Sequence, residues 1–169
     1  MKYENRKEIN FDYVFISKTP IETGELGEKI GKLLRRGNII ALNGQLGAGK
    51  TCLIKGIAKG LKSDNDVTSP SFSLINEYIG NYPIYHFDFY RINNPEEIET
   101  LGYEEYFYGT GVTLIEWAEK IEKYLPDELV LIDIKIEENS YYRKFYFRSI
   151  GEYYYKMIKA LKKDENIRN

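Results

Sequence analysis

The sequence predicts an α/β fold, a mixed β-sheet flanked by helices, with residues 1–169 forming one domain. Three observations carry this expectation. The short apolar run NIIAL (38–42) leads through a glycine-rich loop into the helical pattern TCLIKGIAKGL (51–61). The stretches 72–90 and 128–150 each read as two strands around a turn, so antiparallel neighbours must join any parallel core. Amphipathic helical patterns sit near both ends of the chain, at 20–34 and 152–163.

Taken in order, FDYVFIS (11–17) is rich in β-branched and aromatic residues and opens as a strand. Thr19, Pro20 and Glu22 then supply an N-cap, a first-turn proline and a capping-box acid. Leu26, Ile30, Leu33 and Leu34 give the apolar stripe of that helix. Arg35 and Arg36 suit its negative end, and Gly37 is expected as its left-handed stop. NIIAL has the uniform apolarity of a strand buried on both faces. In the following helix Leu53, Ile57 and Leu61 share one side. The segment 62–71 is polar and turn-rich, and a hairpin turns at Gly80-Asn81. Asn94, Pro95 and the acids after them start a short helix over 94–102. VTLIEW (112–117) is a second short buried strand leading into AEKIEKYL. The pair ELVLIDIKIEE and YRKFYFRSI forms the second hairpin, and EYYYKMIKALKK closes the chain as a basic helix. The Tyr153–Tyr155 cluster is expected to pack that helix, and its Lys-rich end to be solvated.

Composition narrows the function classes. A formal charge of -2 leaves no electrostatic footprint for stand-alone nucleic-acid binding. The single cysteine, Cys52, excludes a disulfide framework within the chain, and the single histidine, His86, excludes zinc sites built on several histidines. MKYENRKEIN lacks the apolar core of a signal peptide, and no apolar run approaches the ~20 residues of a membrane span, so a reduced, cytoplasmic location is expected.

Gly44, Gly49, Lys50 and Thr51 satisfy G-x-x-x-x-G-K-[ST], between a buried strand and an amphipathic helix. The chemistry explains the spacing. Glycines let backbone N–H groups close on phosphate oxygens, and the helix start adds its positive end. The lysine reaches the β- and γ-phosphates, and the hydroxyl ligates Mg²⁺. Leu46, Gly47, Ala48, Gly49, Lys50, Thr51 and Cys52 are therefore the expected nucleotide-binding stretch, and the fold class becomes a P-loop NTPase-like one. The Asn/Thr-Lys-x-Asp guanine reader is absent, which makes adenine the expected base. Small-molecule kinases of this fold usually carry an arginine-bearing lid, whereas Arg91 and Arg143 read as isolated.

Three acids, Asp88, Glu116 and Asp133, follow apolar strand segments. Asp133 reads as mid-strand on an outer hairpin, sharing a solvent face with Leu131 and Lys135. Asp88 and Glu116 can both stand at strand ends, where ligands of open α/β sheets gather. By alternation His86 and Asp88 share one strand face with Ile84 and Tyr90, and Tyr85, Phe87 and Phe89 take the other, the expected core face. His86 then either packs, orients Asp88 or meets a partner, and Trp117 is either a core anchor or a contact near the nucleotide. Three functions remain open on these residues: an ATPase, a small-molecule or nucleoside kinase, and a nucleotide-binding module that switches partners without turnover.

NGQLGAGKT (43–51), VTSPSFSL (67–74), YHFDFYRI (85–92), LGYEEY (101–106) and LIEWAEK (114–120), in this order, make the chain resemble the bacterial TsaE (YjeE) family. The similarity covers about residues 20–120, and the C-terminal third shares only the general layout. Ser71 and Cys52 are small departures, standing where threonine and Thr or Ser are usual in that family. The resemblance implies an ATP- and Mg²⁺-using ATPase required to form threonylcarbamoyladenosine beside the anticodon of tRNAs that read codons beginning with A. It further implies work with the TsaB–TsaD pair, through which tRNA is met indirectly. It assigns Lys50, Asp88 and Glu116 as catalytic, Thr51 and Glu116 as the metal pair, and favours a γ-phosphate switch at Thr68 to Ser71.

Overall fold

The structure, a computed structural model, describes residues 11–70, 72–137 and 141–166. Seven strands form one sheet: β1 (Tyr13–Ser17), β2 (Ile39–Asn43), β3 (Ile75–Ile79), β4 (Pro83–Asp88), β5 (Val112–Glu116), β6 (Leu129–Ile136) and β7 (Arg143–Ile150). Their spatial order is β1-β7-β6-β2-β5-β4-β3. The four middle strands β6, β2, β5 and β4 run parallel, and β7, β1 and β3 are antiparallel to their neighbours. The mixed sheet expected from the hairpins is therefore present, with the glycine-loop strand at its centre.

Both faces of the sheet are covered. On one lie α1 (Pro20–Leu33), α2 (Lys50–Gly60) and α4 (Glu152–Asn166), whose Leu26, Ile30, Leu53, Ile57, Ile158 and Leu161 bury against Ile40, Leu42, Ile132 and Phe145. On the other, the tight 3₁₀ segments Pro95–Leu101 and Ala118–Tyr124 and the short α3 (Tyr103–Phe107) cover Ile39, Ala41, Phe87, Phe89 and Ile115. The face of β4 that carries Ile84 and His86 is thus as buried as that of Phe87 and Phe89, both histidine and phenylalanines being fully enclosed. Among the described residues, no helix is long and apolar enough to cross a membrane.

Local chemistry explains most boundaries. Thr19 caps α1 by accepting from Glu22 N–H, and the Glu22 carboxylate reaches back to Lys18 N–H at 2.7 Å. Asn94 and Glu97 close a full capping box on the first 3₁₀ segment. The end of α1 differs from expectation. Leu34 turns extended (φ -71°, ψ 148°), so the helix stops before the arginines. Gly37 is left-handed (φ +75°), but it shapes the turn into β2, where its N–H donates to Gly111 O. Arg35 and Arg36 lie instead over the Tyr153 and Tyr82 rings.

A second finding concerns how α2 is seated. Gly27 and Gly31 of α1 face Gly56 and Gly60 of α2 so closely that each added Cβ would stand 2.4, 2.2, 2.2 and 2.2 Å from a carbonyl oxygen of the facing helix. Backbone-to-backbone packing of this kind needs small residues on both helices. It fixes the axis of the helix that begins at Lys50.

Candidate nucleotide-binding site

The site is built where β2, β4 and β5 end. β2 finishes at Asn43, and the chain passes through 44–49 into α2. Gly47 (φ +76°) and Gly49 (φ +106°) are left-handed, conformations that a side chain would strain, and no atom stands within 4 Å of the place of their missing Cβ. Gly44 is needed for space: its Cβ would meet Ile134 O at 2.7 Å. Gly49, the N-cap of α2, offers no side-chain bond to the first turn, which leaves N–H groups at the helix start turned toward the loop. A cavity of about 470 Å³ lies there, lined by Leu46 to Cys52 and by Ser69, Asp88, Tyr90, Arg91, Glu116 and Trp117. That is ample for a nucleotide.

Lys50 is 4% exposed. Its ammonium donates to Gly44 O and, at 3.1 Å, to Gln45 O, and lies 3.8 Å from the centre of the Trp117 ring. Burial holds the Lys50 pKa below the usual lysine range, opposed by the negative charges of Glu116, Glu119 and Asp88. Trp117 itself is left-handed (φ +59°) and packs on Tyr90 with ring centres 5.0 Å apart. It lies half-buried, lining the cavity on one side and packing against the second core on the other.

Register brings the acids together. Asp88 of β4 stands opposite Glu116 of β5, and Glu116 opposite Leu42 of β2. Thr51 Oγ1 donates to Glu116 at 2.8 Å from Oε1 and 3.1 Å from Oε2. His86 Nε2 lies 2.9 Å from the same Oε1. The histidine therefore serves Glu116 rather than Asp88. Asp88 is held by Ser69 Oγ at Oδ2 and by Tyr90 N–H at Oδ1, 3.0 Å away. Ser69 is placed by its neighbour Thr68, whose N–H and C=O both bond the Tyr78 hydroxyl at 3.1 and 2.8 Å. Of the stretch Thr68 to Ser71, Ser71 lies outside the described residues.

Asp133 differs from the sequence reading. β6 is no outer strand but pairs with β2, and Asp133 stands level with Asn43, the last residue before the loop. Its carboxylate accepts from Asn43 Nδ2 at 2.9 Å, Leu131 beside it is buried, and Lys135 lies over the Tyr146 ring. What separates Asp133 from the phosphate loop is strand parity: it shares the face of Ala41 and Leu131, whereas Glu116 and Asp88 share that of Leu42 and α2. Arg91, read from sequence as isolated, lines the cavity and stacks on Phe72 at 4.6 Å. Its position in YHFDFYR, three residues after Asp88, was the signal available. Cys52 also lines the cavity, and burial pushes its thiol pKa up.

The donor set suits a hard cation beside a phosphate chain. It consists of one hydroxyl and carboxylate oxygens, and among the described residues no group of three or more His, Cys, Asp or Glu could hold a metal ion. A divalent ion here must take its remaining ligands from phosphate and water, as magnesium ordinarily does.

Comparisons with known proteins give matches over most of the chain. Residues 17–145 match the family model for threonylcarbamoyl adenosine biosynthesis protein TsaE. The chain is 40% identical over 151 residues to the tRNA threonylcarbamoyladenosine biosynthesis protein TsaE of Bacillus subtilis (strain 168), covering 89% of this chain and 94% of that one. It is 40% identical over 121 residues to the protein of the same name from Treponema pallidum (strain Nichols), covering 72% and 90%. The crystal structure of Bacillus subtilis YdiB superposes with a TM-score of 0.76 at 35% identity, covering 90% of this chain and 95% of that one.

Proposed function

The chain belongs to the TsaE family, and from that premise we propose that it is a magnesium-dependent ATPase acting in the cytoplasm in tRNA threonylcarbamoyladenosine biosynthesis. One observation supports the ATPase reading above the others: Thr51, at the start of the phosphate-loop helix, is hydrogen-bonded to Glu116, at the end of the neighbouring parallel strand. Phosphoryl transfer needs positioning and charge compensation more than covalent chemistry, and this pair places a metal-side hydroxyl and carboxylate beside a loop of N–H donors.

In this reading the backbone of Leu46 to Cys52 cradles the phosphates. Lys50 leaves the Gly44 and Gln45 carbonyls to meet the β- and γ-phosphate oxygens. Burial is what lowers its pKa, and a bound phosphate chain would add to the negative charge of Glu116, Glu119 and Asp88 that already favours the ammonium. Thr51 and Glu116 would hold Mg²⁺, which would supply positive charge against the transferring phosphoryl group. Asp88, oriented by Ser69 and by Tyr90 N–H, lines the same cavity and would serve as the second functional acid, placed to order an attacking water. Thr68 to Ser71 is the segment that senses the γ-phosphate. The chain works with TsaB–TsaD and meets tRNA through them, in keeping with its net charge of -2.

Following γ-labelled ATP tests the reaction class. The expected product is inorganic phosphate, formed only with Mg²⁺ and lost in Lys50→Ala. Label recovered on an added nucleoside instead would replace the ATPase by a kinase.

A further inference from the structure

We infer that His86 is a positioning residue for Glu116, setting the carboxylate oxygen that faces Thr51 and so tuning magnesium affinity without touching metal or nucleotide. The inference rests on the ATPase reading and deepens it.

His86 sits in β4 with its side chain completely enclosed, between the sheet and the α2 layer. Enclosing an imidazole costs free energy that a leucine at this place does not incur, unless its polar atoms are paired. One of them is: Nε2 lies 2.9 Å from Glu116 Oε1. The other, Nδ1, is buried without a hydrogen-bond partner. A carboxylate only accepts, so Nε2 carries a proton and donates it to Glu116. The imidazole's one hydrogen bond is therefore spent on that residue. Packing alone gives no account of a ring with one bond to a buried acid and one idle nitrogen.

Geometry says what the contact does. Glu116 is itself 3% exposed, and its Oε1 receives both His86 Nε2 and, at 2.8 Å, Thr51 Oγ1. Two donors from different elements on one oxygen define the plane of the carboxylate. When Thr51 turns its oxygen to a metal, the His86 donor is the contact that keeps Glu116 aimed at the same point. Tyr78, with its ring centre 6.4 Å from that of His86, closes the other side of the imidazole while its hydroxyl holds Thr68. Partners that orient a metal ligand in this manner are worth about 10–100-fold in metal affinity.

The test is calorimetric titration of ATP into the full chain in EDTA and across a Mg²⁺ series, with His86→Gln and His86→Asn. Glutamine can set an N–H where Nε2 stands; the shorter asparagine amide reaches only the place of Nδ1. We expect ATP affinity in EDTA to stay within about twofold for both variants, since neither touches the phosphate loop. The Mg²⁺ concentration for half-maximal tightening should rise about 10-fold or more in His86→Asn and return to within about threefold of wild type in His86→Gln. Wild-type magnesium dependence in His86→Asn would overturn the inference, as would a glutamine variant no better than asparagine. A wild-type chain that binds ATP no differently with and without Mg²⁺ would overturn the ATPase reading itself, a separable result.

Discussion

Lys50, Glu116 and Asp88 carry the residue-scale account, and each has a distinct expected phenotype. A preorganised donor aimed at developing charge is worth roughly 10²–10³ in rate. Lys50→Ala should therefore bring phosphate release below detection while the fold, read by circular dichroism, persists. Glu116→Gln and Asp88→Asn should each remove most Mg²⁺-dependent hydrolysis. Asp133→Asn should stay within about twofold of wild type, because its side chain bonds Asn43 on the far face of the sheet. An inactive Asp133→Asn beside an active Glu116→Gln would reverse this assignment. The placement of these acids was partly legible in the sequence. Alternation put Asp88 and His86 on one face, the strand-end rule favoured both Asp88 and Glu116 over Asp133, and the metal-side role of Glu116 came from the family resemblance. None of these revealed that His86 reaches Glu116 rather than Asp88, because that contact crosses from β4 to β5, and no local pattern encodes which strands become neighbours.

Between elements, the decisive contact is α1 against α2. The pairs Gly27/Gly31 and Gly56/Gly60 let the helices touch backbone to backbone, which fixes the helix that presents Lys50 and Thr51. Gly31→Ala and Gly60→Ala should each cost about 1–3 kcal/mol, as overpacking at rigid backbone does. Gly24→Ala, with nothing within 4 Å of its Cβ, should instead gain up to about 1 kcal/mol from helix propensity. Urea unfolding of the three variants reads this directly, and equal effects at Gly24 and Gly31 would dismiss the close-packing account. The same helices are joined by Glu28, whose pKa is lowered from 4.5 to about 2 by hydrogen bonds from Lys32 and Lys59. A carboxylate depressed on folding stabilises above its unfolded pKa and loses that contribution as pH falls from 4.5 toward 2. Glu28→Gln should flatten the acid limb of stability over that window, and added salt should shrink the difference, since both lysines are solvent-exposed. No local pattern marks these glycines as a packing surface; their use appears once the two helices are seen against each other.

For the whole molecule, the strand–loop–helix unit and the two hairpins made a mixed sheet legible from local pattern alone. Strand order was not. β6 looked like part of an outer hairpin, yet it inserts beside β2, because a strand this apolar is best satisfied with both faces and both edges covered. The 3₁₀ segments and α3 on the second face were likewise hard to read, being too short for helical periodicity to declare itself. The proposal that the site works with partners is tested by phosphate release from Mg²⁺-ATP by the chain alone and with TsaB–TsaD added. ATP binding with slow turnover alone and a clear rise on adding the pair, absent in Glu116→Gln, is expected; fast turnover alone, unchanged by TsaB–TsaD, would contradict the proposal.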